Sequence, residues 1–435
     1  MTSIDRRQFL TRSAAATALA ATAPAHADAE EEKEAEKVSP NEVVRLAVIG
    51  LGGRGPEHLR GFSHLKDVKI TALCDVDAGH LAQGRKAVPF DSEPKRYSDL
   101  RRVFDDKDID AVSIATPNHW HALATIWACQ AGKDVYVEKP ASHEVVEGRR
   151  MVEAARKYGR VVQTGSQCRS HKGIRDAVDF LRSGGIGRVY MAKGLCYKRR
   201  DSIGHQDDGP IPEGVDYDLW AGPAEKRSFN ANRFHYNWHW FWNTGNGDLG
   251  NQGVHQMDIA RWGLGKSQFP RAVHSSGGRF GEQDDGETPN TQLVALEFED
   301  ALLQFEVRGL PTNSEAGAHV GVLFHGSDGY LAITSYTDWQ SYLGPKDRKG
   351  PGGSGGGDHF ANFIKAVRAR DPKVLNADIE EGHLSAAYCH LGNIAYRLGR
   401  KLQIDPSTES FAHDTEADSL LSRSYRRPFV VPSKV

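Results

Sequence analysis

Paired cysteines, a strong net charge and long apolar runs are all lacking in this 435-residue chain. Its five cysteines include no Cys-x-x-Cys, so the sequence predicts neither a structural zinc site nor a dense disulfide framework. The formal net charge of −2 predicts no nucleic-acid-binding surface. The length is sufficient for two domains. The function must therefore be sought in local motifs.

The first 27 residues are predicted to be an export signal that is not part of the fold. A twin-arginine motif, Asp5–Leu10, precedes an apolar run, Ala14–Ala23, that is too short to anchor the chain in a membrane, and a cleavage site, Ala25–Ala27. Residues 28–42 are predicted to be a charged linker. We expect the twin-arginine translocation machinery to export the protein to the periplasm or another extracytoplasmic space. Free nicotinamide cofactor should be scarce there, so a cofactor would have to be tightly held.

A buried strand that ends in a glycine-rich turn begins the fold, in the segment VVRLAVIGLGGRG (43–55). The turn is a G-x-G-x-x-G, the pattern that lets a backbone approach a pyrophosphate at a helix N-terminus. Asp75 follows the next predicted strand, 25 residues after Gly50, where the acid that binds a ribose is expected. Because an acid repels a 2′-phosphate, Asp75 favours NAD. Arg54 in the turn could bind a 2′-phosphate, so NADP is the less favoured alternative. The residues of the turn predicted to bind the cofactor are Gly50, Gly52, Gly53, Arg54 and Gly55.

The alternation of strands and helices up to residue 165 predicts a Rossmann domain with a doubly wound parallel sheet over residues 43–165. Short, closely spaced strands follow, and they predict a second, α+β domain with a large, mostly antiparallel open-faced sheet over residues 166–402. Helices in 358–400 are expected to pack back toward the first domain. Gly350–Gly357 is predicted to be a flexible loop, and residues 403–435 an extended docking tail.

The chain resembles the glucose–fructose oxidoreductase/inositol dehydrogenase (Gfo/Idh/MocA) family from Val43 to Leu402. The matching motifs are the glycine turn, Asp75, the TPNHWH loop (116–121), Glu138-Lys139-Pro140, and GVHQMD (253–258). The resemblance implies the two-domain fold, a nicotinamide cofactor and a catalytic lysine at position 139. We also expect a homo-oligomer, either a dimer or a tetramer.

Three residues are predicted to be catalytic. Lys139 ends a strand beside the expected cofactor pocket, where desolvation can lower a lysine pKa enough for acid–base work. His255 and Asp258 lie three residues apart on a predicted helix, so the acid could orient the imidazole. Many family members carry an aspartate where this chain has Asn251, and an amide cannot take up a proton. The alternatives are a surface lysine and a buried core histidine.

The remaining predicted contacts surround this centre. Further cofactor contacts are Thr116, Asn118, His121, Glu138 and Lys139. The segment from Trp220 to Asn251 is rich in aromatic, asparagine and histidine side chains, which suit sugar faces and hydroxyls. A subunit interface is the alternative for this segment. The predicted substrate contacts are Gln167, Arg169, Trp238, His239, Trp240, Asn251 and His255.

No metal is expected, because the pairs His119/His121 and His235/His239 lack a carboxylate or cysteine at ligand spacing. The sequence therefore predicts an NAD(P)-dependent oxidoreductase that acts on CH–OH groups of a small-molecule sugar, glycoside or polyol. One alternative is an NAD-dependent glycosidase that oxidises, eliminates and reduces without net redox change. The other is a non-catalytic NAD-binding sensor, against which the presence of Lys139 and His255 argues.

Overall fold

The computed structural model describes residues 43–90 and 92–435. The predicted export signal (1–27) and charged linker (28–42) lie outside these residues, so both stay predictions. Among the residues that are described, no helix combines the length and apolar character that crossing a membrane requires.

The first half of the described chain folds around a parallel sheet. Its strands are β1 (Val44–Ile49), β2 (Val68–Cys74), β3 (Lys95–Tyr97), β4 (Ala111–Ile114), β5 (Asp134–Val137) and β6 (Val162–Thr164). The helices between them are α1 (Gly55–Ser63), α2 (Ala78–Ala87), α3 (Leu100–Asp105), α4 (His121–Gln130) and α5 (Val145–Lys157). The strand order is β3-β2-β1-β4-β5-β6. Strand β1 is therefore interior, with Leu46 and Val48 fully buried, which explains its nearly continuous apolar run.

The second half folds around a mixed sheet. The elements of this half that precede its second strand are α6 (Lys172–Arg182), β7 (Val189–Cys196), α7 (Tyr217–Ala221), α8 (Gly247–Asn251) and α9 (Gly253–Gly263). Strands β8 (Ala272–Gly278), β9 (Thr291–Glu297), β10 (Leu302–Arg308), β11 (Val320–Gly326), β12 (Gly329–Ile333), β13 (Asp338–Leu343) and β14 (Arg348–Ser354) follow. The chain ends with α10 (His359–Ala369), α11 (Ile379–Leu398), β15 (Leu402–Asp405), β16 (Ser410–Phe411) and α12 (Thr415–Asp418).

The strand order of this sheet is β14-β13-β12-β11-β7-β10-β9-β8-β15-β16. Strands β7 and β10 pair in parallel, and the other neighbours pair antiparallel. The predicted fold class, a Rossmann domain followed by a domain on a large, mostly antiparallel sheet, is therefore confirmed.

The prediction of a flexible loop at Gly350–Gly357 is wrong, because most of this segment belongs to strand β14 at the edge of the sheet. It pairs antiparallel with β13. A side chain at Gly352 would meet the Gln340 amide oxygen at 2.6 Å, so the glycines are used for close pairing. The side chains of Gln340 and Ser341 also bind the carbonyls of Gly350 and Pro351.

Two C-terminal helices connect the halves of the described chain. Helix α11 packs against α5 of the first domain and against α9 and β8 of the second. Helix α10 packs on α1, where Phe360 and Phe363 both contact Phe62 edge-to-face. Phe363 also contacts Tyr136 of β5 edge-to-face. The two domains thus share packed helices.

The sequence predicts an extended tail over residues 403–435, but this segment contains two strands and a helix. Strands β15 and β16 form a hairpin that joins the second sheet, and α12 follows. Beyond α12 the chain returns to the first domain, where Phe429 packs edge-on against Trp120 at 5.4 Å between ring centroids. Arg426 binds Asp218 at 3.0 Å.

Candidate active site

A cleft of about 480 Å³ opens where β1, β2, β4 and β5 end. Ligands bind at this carboxyl edge of an open α/β sheet, and the volume suits a small-molecule site, for which about 300–1,000 Å³ is usual. The second domain forms the facing wall, with Lys198, Trp220, His235, Tyr236, Trp238, His239 and Asn251. The cleft therefore lies between the two domains.

The glycine turn forms the floor of one end of the cleft. Gly50 has a φ of 86°, and a Cβ there would lie 2.6 Å from the Ala115 carbonyl oxygen. A Cβ at Gly55 would strike the Gly50 carbonyl oxygen at 2.1 Å, so Gly55 lets α1 pack against the turn without itself lining the cleft. A Cβ at Gly53 would instead enter open space within the cleft. Each glycine thus meets a different steric requirement.

We expect Gly50→Ala and Gly53→Ala to separate folding from nucleotide binding. Gly50→Ala should lower the free energy of unfolding by at least about 1–2 kcal/mol, because it adds strain at a positive φ and a clash. Gly53→Ala should change stability by less than about 0.5 kcal/mol and weaken nucleotide binding on the order of tenfold. Urea unfolding and nucleotide titration measure the two effects. Wild-type nucleotide affinity in Gly53→Ala would contradict this description of the turn.

The Asp75 carboxylate lies beside the turn, at the end of β2. It accepts hydrogen bonds from the backbone N–H of Leu51 at 2.7 Å and of Asp77 at 2.9 Å. These bonds hold the carboxylate at the cleft wall, where it is available to ribose hydroxyls. The position is the one that the sequence predicts for the ribose-binding acid.

Lys139 lies at the other end of the cleft, after β5. Its Nζ donates to the backbone oxygen of Asn251 at 3.2 Å and to the Asn251 Oδ1 at 3.3 Å. Desolvation by burial lowers the Lys139 pKa, although the neighbouring Glu138 carboxylate opposes this. The neutral amide of Asn251 does not stabilise the ammonium as a carboxylate would. A lysine with a lowered pKa is thus directed into the cleft.

Glu138, which was predicted to bind the cofactor, is held as a carboxylate by its own partners. Arg54 and His58 both approach Oε1 at 3.0 Å. Burial favours the neutral acid, but His58 and Arg54 outweigh it and lower the Glu138 pKa well below its usual value. Glu138 therefore anchors Arg54 across the floor of the cleft.

His239 faces Lys139 from the second domain. Its Nδ1 lies 2.5 Å from the Tyr236 carbonyl oxygen, which can only accept, so Nδ1 carries the proton. The lone pair on Nε2 has no hydrogen-bond partner among the described residues. Burial lowers the His239 pKa to about 3, which keeps the ring neutral. Trp238 stacks on this ring, with 3.6 Å between centroids. The arrangement offers a hydrogen-bond acceptor beside a flat aromatic surface.

His255 lies beside the cleft but does not line it. Burial and then the Lys139 ammonium lower its pKa to about 3. Its Nδ1 is buried and has no hydrogen-bond partner among the described residues. The predicted orientation of His255 by Asp258 is not observed, since no hydrogen bond joins the two side chains in the described part of the chain.

Asp258 and Arg169 form a buried ion pair, which differs from both predicted roles. Arg169 donates to both oxygens of Asp258 at 2.8–3.0 Å, and Ser385 donates to Oδ1 at 2.7 Å. Burial opposes ionisation of Asp258, but Arg169 and Arg261 outweigh it and lower the Asp258 pKa. Neither residue lines the cleft. The pair joins α9 to the segment after β6, so we assign it a structural role.

The other predicted contacts divide into two groups. Thr116 lines the cleft with a buried hydroxyl that has no partner among the described residues, and His121 lies beside it, bound to the Thr116 and Pro140 carbonyls. Asn118 instead donates to Asn246 at 2.5 Å, away from the cleft. Gln167 and Trp240 also lie outside the cleft lining, and Trp240 packs under Arg200.

Sequence reasoning missed several residues of the cleft. These are Glu57, His80, Ser98, Asp99 and Lys198, whereas Trp220, His235 and Tyr236 belong to the aromatic segment that the sequence predicts to suit a sugar. His80 follows the predicted ribose acid by five residues and lies on the first turn of α2, a signal that could have been used. His235 and Lys198 come from the other domain, and no local pattern connects them to the glycine turn.

The fold and the cleft together define a two-domain protein with a dinucleotide-binding Rossmann fold. Residues 44–166 match the NAD-binding Rossmann fold of an oxidoreductase family, and residues 193–431 match that family's C-terminal alpha/beta domain. The chain belongs to this family, the Gfo/Idh/MocA oxidoreductases.

Known relatives are similar over part of their length. Inositol 2-dehydrogenase of Salmonella typhimurium is 33% identical over 156 residues, which are 35% of this chain and 46% of that protein. A glycosyl hydrolase family 109 protein of Shewanella pealeana is 36% identical over 120 residues, 26% of each chain. The chain thus spans less than half the length of either relative.

Solved structures with the same fold match nearly the whole described chain. The WlbA dehydrogenase of Bordetella pertussis, in complex with NADH and UDP-GlcNAcA, has a TM-score of 0.64 at 19% identity and covers 83% of this chain and 99% of that one. A levoglucosan dehydrogenase with NADH and levoglucosan has a TM-score of 0.63, again at 19% identity and with coverage of 83% and 99%. At this identity the likeness shows the fold.

Proposed function

We propose that this protein is an NAD-dependent oxidoreductase that acts on a hydroxyl group of a sugar, glycoside or polyol. The observation that carries the proposal is Lys139, a lysine of lowered pKa that ends β5 and faces the same cleft as the glycine turn. Inositol and levoglucosan dehydrogenases among the similar proteins support a substrate of this class.

The cleft residues fit a dinucleotide. Open space above Gly53 can admit a pyrophosphate, and the Asp75 carboxylate is placed for ribose hydroxyls. The buried Thr116 hydroxyl lacks a partner among the described residues and can bond to a ligand. We expect NAD in preference to NADP, because Asp75 would repel a 2′-phosphate.

NAD, when bound, supplies the hydride acceptor. Lys139 Nζ, in its neutral form, takes the proton from the substrate hydroxyl, and the two oxygens of Asn251 hold Nζ in place for this step. The free Nε2 of His239 accepts a hydrogen bond from a neighbouring hydroxyl, while Trp238 supports the His239 ring. His255, close to Lys139, completes the set of groups proposed to assist the proton transfer.

A direct test is to identify the nucleotide that the purified protein releases on denaturation and then to add candidate sugars and polyols to the native protein. We expect released NAD, and a substrate-dependent rise in NADH absorbance with a keto product. Absence of both nucleotide and reduction across sugar, glycoside and polyol panels would contradict the proposal.

The glycosyl hydrolase family 109 relatives favour one second candidate, a glycosidase that uses bound NAD without net redox change. A glycoside with a chromogenic leaving group separates the two. A dehydrogenase accumulates NADH and an intact keto-glycoside. A redox-neutral glycosidase releases the leaving group while the bound NAD returns to its oxidised form.

We also propose export by the twin-arginine route and a homo-oligomer. The motif at Asp5–Leu10 supports export, and periplasmic fractionation of the wild type beside Arg6→Lys/Arg7→Lys tests it. We propose that the copies associate through the face of the large sheet on which Leu293 of β9 is 46% exposed. Light scattering at several protein concentrations tests the oligomer, and a monomer throughout would contradict it.

A further inference from the structure

Three ligand-type side chains meet at the rim of the cleft. Asp77 caps α2, His80 lies on the first turn of that helix, and His235 belongs to the aromatic segment of the second domain. One ligand atom from each lies within 4.8 Å of the others. Asp77 Oδ2 and His235 Nε2 are 3.0 Å apart, and the two imidazole centroids are 4.4 Å apart.

The spacing suits a transition-metal ion. Zinc binds histidine nitrogen and carboxylate oxygen at about 2.0–2.2 Å, so tetrahedral ligand atoms lie about 3.4 Å from one another. The separations between the three atoms therefore need to shorten by at most about 1.4 Å to reach that distance. Two histidines with one carboxylate also form a known ligand set for catalytic zinc, which leaves a position open.

The surroundings support ligand roles for both histidines. His80 Nδ1 lies 3.4 Å from Asp75 Oδ2, the kind of carboxylate contact that fixes the orientation of a metal-binding imidazole. His235 Nε2 lies 3.0 Å from Asp77 Oδ2, so two of the atoms proposed to bind the ion already face each other.

The backbone at this point is also held in place. His235 has a φ of 58°, in the left-handed region that few non-glycine residues occupy. Next to the cluster, the Ala78 N–H donates to the Gly214 carbonyl oxygen at 3.0 Å, and the Asp216 N–H donates to the Val76 carbonyl oxygen at 2.9 Å. These two hydrogen bonds fix the start of α2 against the second domain before any ion binds.

We propose that Asp77, His80 and His235 form a binding site for a divalent transition-metal ion of the zinc class, which ties the two domains together at the mouth of the cleft. Both imidazoles line the cleft, so an ion bound to them restricts the opening through which a bound nucleotide leaves. The effect of the ion on nucleotide release rests on the proposed function, which requires nucleotide binding in the cleft. Metal binding by the three side chains does not depend on nucleotide binding.

The test uses the full chain without an affinity tag. Zn²⁺ is titrated against a chromophoric chelator, and Co²⁺ reports the coordination geometry through its visible absorption. His235→Asn removes the imidazole but keeps a residue that tolerates a positive φ. Asp77→Asn keeps the helix cap, because the asparagine oxygen can still accept from the Gly79 N–H, but it removes the carboxylate ligand.

A matched control is His64→Asn, which removes the histidine of an exposed His–Asp pair, with His64 Nε2 3.0 Å from Asp358 Oδ2. Wild type and His64→Asn should bind one ion more than His235→Asn and Asp77→Asn, and Co²⁺ should give a tetrahedral spectrum in the first two proteins only. Equal stoichiometry in all four folded proteins would overturn the site.

A separate measurement addresses the tie between the domains. With saturating Zn²⁺, release of bound nucleotide should slow severalfold in the wild type and stay unchanged in His235→Asn. A release rate independent of Zn²⁺ in a wild-type protein that binds the ion would overturn the tie. A protein that retains no nucleotide under any condition would overturn the proposed function but leave the ion-binding measurement valid.

Discussion

Lys139→Met is expected to lower kcat by about 10²–10⁴-fold, the range for losing a general acid–base residue. Nucleotide binding and folding should persist, because methionine fills a similar volume and removes a cation that burial disfavours. In the wild type, kcat/KM should rise with pH as Lys139 loses its proton. Burial lowers its pKa below the ordinary value of 10.5, so this rise should come below pH 10.5 and vanish in the variant.

Lys133→Met is the matched control. The Lys133 Nζ donates to the carbonyl oxygens of Asp106 and Ile109 at 2.7 Å, outside the cleft. Its loss should lower the free energy of unfolding by about 1–3 kcal/mol and leave kcat of the folded enzyme unchanged. Near-wild-type turnover in Lys139→Met would remove Lys139 from the mechanism. Similar losses of kcat in both variants would point to a general structural effect.

Arg169→Met is expected to lower the free energy of unfolding by about 3–5 kcal/mol, because it leaves Asp258 buried without its main partner. The same change should scarcely alter kcat of the protein that folds, since neither residue lines the cleft. Urea unfolding measures the stability, and turnover is measured on protein shown to be folded by its circular dichroism.

Asp258→Leu and the double variant Arg169→Met/Asp258→Leu complete a double-mutant cycle with this change, and Asp258→Asn is measured beside them. Replacing both charges should recover part of the lost stability, since a buried ion pair often contributes little beyond an apolar pair of similar volume. The structural assignment would fail if Asp258→Asn kept wild-type stability and lost turnover. That result would support the predicted orientation of His255 by Asp258.

The glycine turn shows how much of the site a local sequence pattern can predict. All its glycines except Gly55, together with the acid at Asp75 and the lysine after β5, line one cleft, because strand-end residues of a parallel sheet meet at one edge. Gly350–Gly357 shows what amino-acid composition alone cannot predict. A glycine-rich segment has no side-chain pattern to reveal pairing, and only the neighbouring strand β13 makes it a strand.

Arg169 and Asp258 show a second limit. Both residue types suit a sugar site, and both follow motifs that direct attention to them. Which charge each one meets depends on the packing of α9 against the segment after β6, 89 residues apart in sequence. The cluster at the rim of the cleft shows the same limit. His235 meets its carboxylate partner, Asp77, from the other domain, and no local pattern predicts this contact.

The sequence by itself determined the family resemblance, the Rossmann order, the glycine turn, Asp75 and the position of Lys139. Each is encoded within a few residues or by strand–helix alternation, so it needs no knowledge of distant contacts. The tertiary structure alone decided that His239 faces Lys139, that Arg169 and Asp258 neutralise each other, and that His235 meets Asp77. These outcomes depend on how two domains pack and on which buried charges must be paired, and neither is a local property of the chain.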